Sequence, residues 1–320
     1  MRGVAVSSAV ARVDRWFLAP APAERLAALR ILVGSFATIY LACRVPYVLD
    51  VAALPRGRFE PVGIAAVLDA PSALAVVRLV LVATLLTGML FVVGWHHRVV
   101  APTFALLLLA SLTYSNSWQH IAHTENLVLL HVAVLAIVPA ADVWSLDARR
   151  AGVVAAPEFG YGWPSQLMSV LTVVTYVLAG VAKVRHGGGD WVNGDVLRNL
   201  VAHDNLRKIV LGDVHSPIGG WLVGHGWLFP PLAALSLGVE LGAPLALLRG
   251  RIRQVWIVAA WCFHLGVLAL MAIFFPYPLS GIAFASFLRP ERLLTRVARA
   301  IRRPASGSGA LTAYGRGDVG

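Results

Sequence analysis

The polar residues best suited to chemistry in this chain stand inside or beside long apolar stretches. Lys183 ends one such stretch, and Glu240 and His264 lie within two later ones. An amine removed from water can be held neutral and then accept a proton. A lysine, a carboxylate and a histidine in such settings therefore indicate acid–base chemistry.

Each of these residues also has a structural interpretation. A lysine at the end of a membrane helix commonly anchors it, because the long side chain reaches the interface. A histidine on an apolar face, such as His264, commonly makes a packing hydrogen bond. Glu240 has several candidate partners for an ion pair, and the sequence does not choose among them. They are Arg30, Arg78 and Lys183.

Metal and disulfide chemistry have no pattern to support them. The cysteines, Cys43 and Cys262, both lie in apolar runs and form no Cys-x-x-Cys motif. No HExxH sequence occurs, and His120 and His123, only three positions apart, are weak evidence for a metal site. We therefore expect no metal and no disulfide.

The composition decides which elements position these residues. Hydrophobic residues make up 58% of the chain and charged residues only 13%, whereas soluble proteins carry about a quarter charged residues. Several apolar runs reach the roughly 20 residues needed to cross a bilayer. The sequence therefore predicts an all-α polytopic integral membrane protein in the lipid bilayer. The net charge of +11 is typical of basic loops facing anionic lipid, so we expect no nucleic-acid partner.

About eight transmembrane helices in one bundle are predicted, with both termini cytoplasmic because arginine-rich loops alternate. The predicted crossings are residues 25–48, 72–94, 99–114, 125–141, 164–184, 228–248, 254–274 and 277–288, the last being either a short span or a re-entrant segment. A surface helix is predicted within 195–209. The expected domains are a cytoplasmic interfacial segment at 1–23, a transmembrane domain at 24–290, a basic amphipathic cytoplasmic helix at 291–304 and a disordered tail at 305–320.

This topology places the polar residues in one half of the membrane. Lys183 falls at the outer end of its span, and Glu240 and His264 fall about midway along theirs. His123 and Asn126 fall at the outer mouth of another span. Ionisable groups inside spans usually face a cavity or a partner. We therefore expect one site that opens toward the outer half of the bilayer.

The segment around Lys183 resembles a known motif. Residues 176–194 read YVLAGVAKVRHGGGDWVNG, which is aromatic-x-x-Ala-Gly-x-x-Lys followed by Asp-Trp-x-x-Gly. This pattern resembles the segment with the base lysine in vitamin K-dependent gamma-carboxylases and in their smaller bacterial relatives, the HTTM-domain membrane proteins. Two departures stand out, since Ala182 precedes the lysine and three glycines lengthen the link to Asp190.

Softer similarities to the same family follow in the same chain order and extend the resemblance over residues 24–290. They are the segment LAALRILVG at 26–34, the stretch 116–123 with Asn126, the Val-Trp-Ser-Leu-Asp sequence at 143–147, and the Trp-Cys-Phe-His sequence at 261–264 with Phe274 and Phe275.

The resemblance implies quinone chemistry. Lys183 would be the base that deprotonates a reduced quinone, vitamin K or menaquinol, with His264 or His123 as helper. Oxygen would then generate a stronger base that acts on a peptide glutamate before carbon dioxide adds. The residues that would bind quinone or substrate, or support the site, are Arg30, Asn126, Asp190, Trp191 and Glu240.

The sequence also resembles a second group of proteins. A chain of this length with only an HTTM core also resembles proteins that mature the sporulation-delaying peptide toxin. That resemblance implies a non-enzymatic membrane partner for maturation or export of a secreted peptide, working with a small partner protein in the bacterial plasma membrane. Whether the chain is an enzyme therefore stays open from the sequence.

Overall fold

A computed structural model describes the backbone of residues 2–118, 123–152 and 159–302, with side chains except at 2–9, 123, 159, 298 and 300–302. Every regular element in these ranges is helical. The all-α prediction is therefore confirmed. The tail predicted at 305–320 lies outside the described residues.

Thirteen α-helices follow one another in the described part of the chain. The first seven are α1 (Arg2–Phe17), α2 (Ala23–Ala52), α3 (Leu74–Val93), α4 (His97–Asn116), α5 (Asn126–Ala136), α6 (Leu146–Ala151) and α7 (Trp163–Val192). The others are α8 (Asp195–Val210), α9 (Pro217–Val223), α10 (Phe229–Leu241), α11 (Arg251–Met271), α12 (Pro276–Leu279) and α13 (Pro290–Arg302).

Five of the described helices, α2, α3, α4, α7 and α11, are long and apolar enough to cross a membrane. A sixth crossing results if α9 and the segment Gly226–Leu241, bent by 103°, form one broken span. The predicted crossing at 125–141 contains the 11-residue helix α5. The one at 277–288 consists of α12 and the 3₁₀ turn Ile282–Phe287. The protein is thus a multi-pass membrane protein, and the count of eight stays a prediction.

Close helix packing joins α2, α3 and α4. A Cβ atom on Gly34 of α2 would lie 2.6 Å from the Phe91 ring of α3. A Cβ atom on Gly88 of α3 would lie 2.9 Å from the Phe104 ring of α4 and would overlap the Thr38 hydroxyl of α2. Small residues let membrane helices approach this closely, so the three helices form one packed unit.

A buried histidine connects this unit to α7. The fully buried His131 of α5 has its Nδ1 atom 2.7 Å from the Tyr277 hydroxyl. Its Nε2 atom lies 3.1 Å from the Met168 carbonyl oxygen and 3.2 Å from the Thr172 hydroxyl. Both ring nitrogens therefore have partners, as expected for a structural histidine.

The bundle has two ends, which we name after residues near them. Gly162, just before α7, packs against the backbone of Ala19, just before α2. Arg25 of α2 forms an ion pair with Glu291 of α13, 3.1 Å apart. We call this the Arg30 end. Lys183 lies toward the other end of α7, about 30 Å along the helix axis, and that end is called the Lys183 end.

At the Lys183 end, α8 and α9 close over the C-terminus of α11. Asn205 Nδ2 of α8 donates to the Leu270 carbonyl oxygen at 2.9 Å. The Lys208 ammonium donates to the Met271 carbonyl, and the Ser216 hydroxyl donates to the Ala269 carbonyl. These groups satisfy carbonyls that a helix end leaves unpaired, and a cation there also complements the helix dipole. We call α8 and α9 together the roof.

The docking of the roof gives a steric prediction. Gly219 of α9 packs so closely that a Cβ atom would overlap the Leu270 carbonyl oxygen, whereas nothing lies within 4 Å of the same atom on Gly220. Because backbone cannot move aside cheaply, we expect Gly219→Ala to cost about 3 kcal/mol. The matched variant Gly220→Ala should change stability by less than about 0.5 kcal/mol. Unfolding by SDS titration measures both, and equal losses would contradict this docking.

Candidate functional site

The site is built on one face of α7. This face carries residues spaced by three or four positions, namely Tyr176, Gly180, Lys183 and Gly187. A Cβ atom on Gly180 would lie 3.0 Å from Glu240 Cβ and 2.8 Å from a Leu241 methyl group of α10. The glycine therefore lets α10 approach α7 closely enough for Glu240 to reach the next turn.

Lys183 and Glu240 form an ion pair across these two helices. Lys183 Nζ lies 2.7 Å from Glu240 Oε1. The Glu240 side chain is 4% exposed and that of Lys183 is 20% exposed. Of the partners that the sequence left open for Glu240, the structure therefore selects Lys183. A charge this deep needs such a partner, since an isolated one is strongly unfavourable.

Aromatic rings surround the ammonium group. Lys183 Nζ lies 4.7 Å from the ring centre of Trp191 and 5.2 Å from that of Phe263. Contacts of this kind stabilise a cation through the electrons of the ring face. Trp191 comes from beyond the glycine run, and Phe263 comes from α11. The site thus draws on three helices of the bundle.

The glycine run brings Trp191 back toward Lys183. Gly188 interrupts the helical conformation of α7 with φ 49° and ψ −132°. Only glycine adopts this region readily. The kink directs the chain so that the Trp191 side chain packs on Gly187, where a Cβ atom would lie 3.0 Å from Trp191 Cβ. Gly188, the middle one of the three glycines that depart from the family pattern, therefore kinks α7 and returns Trp191 to the site.

This turn can be tested at neighbouring glycines. We expect Gly188→Ala to cost about 1–3 kcal/mol, because alanine at this φ and ψ is strained. Relief of the strain should move Trp191 away from Lys183. Gly189→Ala is the matched control, since Gly189 has an ordinary φ and nothing within 4 Å of an added Cβ atom. Stability and Trp fluorescence in nanodiscs check both variants, and unchanged values in Gly188→Ala would contradict the kink.

A second polar contact joins α7 to α11. The Tyr176 hydroxyl lies 2.7 Å from His264 Nε2, and both residues are buried. The His264 ring lies 5.0 Å from the Phe275 ring. The sequence analysis predicted His264 but not Tyr176 as a site residue. Tyr176 could have been found because it is the aromatic residue that begins the Lys183 motif.

Several buried polar atoms around this site have no hydrogen-bond partner among the described residues. They are Glu240 Oε2, Trp191 Nε1 and His264 Nδ1. Buried polar atoms in proteins are nearly always paired, and an unpaired one costs about 1–3 kcal/mol. The site therefore offers a carboxylate acceptor, an indole donor and an imidazole nitrogen to a bound molecule.

The other residues predicted for the site are not all brought together. Asp190 is exposed, as is Asn126, the first residue of α5. The backbone of His123 begins a 3₁₀ helix that ends at Glu125, and its side chain lies outside the described part of the chain. Glu125 is buried against α2, where it lies 3.2 Å from Arg44. This second ion pair involves α2 and not the α7–α10 contact.

Arg30 lies far from Lys183, although the family resemblance implied a role near the quinone. It is fully buried at the Arg30 end, where its Nη2 atom donates to the Trp144 carbonyl oxygen at 2.6 Å. Gly94, after α3, packs against the same guanidinium group. Arg30 therefore fastens the loop before α6 to the turn between α3 and α4.

Asp147 completes this loop attachment. Its carboxylate accepts the backbone N–H groups of His96 and His97, at 2.9 and 2.8 Å, at the start of α4. Partial burial acts to raise the pKa of Asp147, but these two N–H groups, with His96 and Arg150 nearby, hold the pKa below its usual value. The ionised carboxylate is therefore the form that binds the start of α4.

A pH-dependent stability follows. A carboxyl with a depressed folded pKa contributes stability fully above its unfolded pKa of about 3.9 and loses it as pH falls through the folded value. We expect Asp147→Asn to cost about 1 kcal/mol near neutral pH. The difference from wild type should shrink when unfolding is measured below about pH 3. A difference that stayed constant across this range would contradict the assignment.

A separate cavity of about 260 Å³ lies between α2, α3 and α4. Its lining is mostly apolar and includes Val77, Leu81 and Tyr114. No residue of α7, α10 or α11 lines it, so it is distinct from the Lys183 site. Among the described residues, no group of three or more His, Cys, Asp or Glu side chains is arranged to hold a metal ion.

Comparison with known proteins identifies the family. The family model described as the HTTM domain matches residues 19–290, which include every helix of the Lys183 site. Searches of curated proteins and of solved structures found no match. Because the matched region covers most of the chain, from just before α2 to the start of α13, this protein belongs to the HTTM domain family.

Proposed function

We propose that this protein is a membrane enzyme in which the Lys183–Glu240 pair accepts a proton from a hydroxyl group of a reduced quinone. The observation that carries the proposal is the buried ion pair surrounded by unpartnered polar atoms. The likeness of residues 176–194 to the lysine segment of vitamin K-dependent gamma-carboxylases supports the same assignment.

The donor set suits a quinol. A quinol carries two hydroxyl groups on an aromatic ring system and an apolar tail, so it dissolves in the bilayer. Glu240 Oε2 can accept from a hydroxyl, and the Trp191 indole can donate to one. The rings of Phe263 and Phe275 provide apolar walls next to Lys183 and His264. The residues present therefore fit a ligand with a polar aromatic head.

The roles of the protein groups follow from their contacts. In the structure the pair is an ammonium and a carboxylate, 2.7 Å apart. Glu240 takes one proton from this ammonium and becomes a neutral carboxyl group, and the neutral amine left on Lys183 then takes the hydroxyl proton, so that the pair as a whole gains one proton and the quinol loses one. Tyr176 fixes the orientation of His264, whose Nδ1 atom is left to bind the ligand. A quinol that has lost this proton can react with oxygen and supply a strong base, which would act on a peptide or lipid.

The test is a search for quinone epoxide. Purified protein in nanodiscs is given reduced menaquinone or reduced vitamin K with oxygen-18 gas, and the products are read by mass spectrometry. Wild-type protein should produce labelled epoxide, and Lys183→Ala should produce none above the protein-free background. Arg207→Ala is a control on an exposed ion pair of α8 and should behave as wild type.

Absence of epoxide from well-folded wild-type protein with both quinols would overturn the proposal. The alternative would then be a non-enzymatic partner in the maturation or export of a secreted peptide. That function predicts a bound peptide or small partner protein that co-purifies with the wild type and is independent of quinol.

A further inference from the structure

The roof belongs to the mostly polar segment that follows α7, but it exposes an apolar surface. Leu206, Ile209 and Val210 of α8 are exposed, Leu206 by 60%. Ile218 and Trp221 of α9 are exposed as well. Exposed apolar patches of this extent mark a binding surface or a membrane contact. The described residues do not cover this surface.

The surface of α8 is divided into sectors. Val201, Asn205 and Lys208 point toward α11 and are buried. At 100° per residue, Leu206, Ile209 and Val210 occupy the sector to one side of that buried face. Asp204 and Arg207 lie on the other side, where they form an ion pair at 3.0 Å. Leu200 and Leu211, which are also exposed, lie toward the charged side, so the separation of apolar and charged side chains holds for residues 204–210.

The direction of α9 agrees with this placement. The axis of α9 is bent by 103° from the segment Gly226–Leu241 that follows it. If that segment crosses the bilayer, α9 runs nearly parallel to the membrane plane. Trp221 on α9 and Trp227 at the bend are exposed, the latter by 74%. Tryptophan concentrates where the hydrocarbon meets the headgroups.

We propose that the roof is an interfacial layer whose apolar sector lies among the headgroups and upper acyl chains of one leaflet. The occupant of this surface is therefore the lipid bilayer and not a peptide. Leu235 of α10, about two turns after the exposed Trp227, is exposed as well, as expected of a lipid-facing residue in a span that begins at the roof. The half-exposed Arg207, on the opposite flank, faces water.

This placement also sets the depth of the Lys183 site. The roof contacts α11 at Met271, and His264 lies about two turns earlier, or about 10 Å along the axis. The hydrocarbon half of one leaflet is about 15 Å thick. The site therefore lies within that leaflet, at a depth reached by lipid-soluble molecules. The identity of such a ligand rests on the proposed function, whereas the position of the roof does not.

Spin-label accessibility tests the inference directly. The exposed Cys43 and Cys262 are first replaced by alanine. Single cysteines are then introduced as Leu206→Cys, Ile209→Cys and, as a matched control on the charged flank, Arg207→Cys. Each variant is labelled with a nitroxide in nanodiscs of phosphatidylethanolamine and phosphatidylglycerol. Electron paramagnetic resonance compares collisions with oxygen, which enriches in lipid, and with a water-soluble nickel chelate.

The expected result is a reversal between the two flanks. At Leu206 and Ile209 oxygen collisions should exceed nickel collisions, and at Arg207 nickel collisions should exceed oxygen collisions. Nickel access at Leu206 and Ile209 equal to that at Arg207 would place the roof in water and overturn the inference. All three positions are exposed, and monodispersity after labelling verifies folding. The measurement does not use catalysis, so its failure is distinguishable from failure of the quinol proposal.

Discussion

Glu240→Ala lowers the free energy of unfolding by about 3 kcal/mol, the largest effect on stability that we expect from removing a single polar side chain. Removing one partner of a buried ion pair costs about 3–5 kcal/mol, because the other charge remains without compensation. Lys183 is 20% exposed, so water relieves part of this cost and the lower end of the range applies. SDS titration in mixed micelles measures the change.

A double variant separates the pair from its individual residues. Lys183→Met with Glu240→Leu removes both charges while roughly keeping side-chain volume, and should unfold within about 1 kcal/mol of the wild type. Arg207→Ala breaks an ion pair in which the arginine is half exposed, and should cost no more than about 1 kcal/mol. A loss in the double variant as large as that in Glu240→Ala would show that Glu240 acts through packing and not through Lys183.

The elements that carry the site could be predicted from apolar run length. The segments that contain Lys183 and His264 are long and apolar, and the structure places them in α7 and α11. The segment with Glu240 forms the shorter helix α10. Local pattern also marked Lys183 and Trp191, since both belong to the motif at residues 176–194. These features are local in the chain, so they could be predicted from the sequence.

Features that depend on contacts between distant segments could not be predicted from the sequence. The choice of Lys183 as partner for Glu240 depends on Gly180, which sets how closely α10 approaches α7. The return of Trp191 depends on the backbone at Gly188, which no periodicity reports.

The contacts made at the ends of helices could not be predicted from the sequence either. Arg30 was grouped with the site by family resemblance, but its contact with Trp144 places it at the opposite end of the bundle. The sequence predicts a surface helix within 195–209, where α8 lies. It does not predict that Asn205 and Lys208 of this helix bond to carbonyls at the end of α11. Such pairings join residues far apart in the chain, and one sequence without relatives gives no signal for them.

The Lys183→Arg variant should abolish quinol turnover while keeping the fold. Arginine retains the positive charge that Glu240 requires, so the free energy of unfolding should fall by less than about 1.5 kcal/mol. A guanidinium group does not release its proton under these conditions, since its pKa exceeds about 12. It therefore cannot act as the base. Loss of a positioned acid–base group lowers kcat by about 10²–10⁴-fold.

Two measurements on the same preparation make this prediction sharp. SDS titration confirms that Lys183→Arg remains folded, and epoxide formation from reduced menaquinone or vitamin K gives kcat. Tyr176→Phe should act more mildly, because it removes only the hydroxyl that positions His264, and a hydrogen bond worth about 1 kcal/mol corresponds to about fivefold in rate. If Lys183→Arg kept wild-type turnover, proton acceptance by Lys183 would be excluded. Glu240 Oε2, the unpartnered carboxylate oxygen of the pair, would then be the proton acceptor to test through Glu240→Gln.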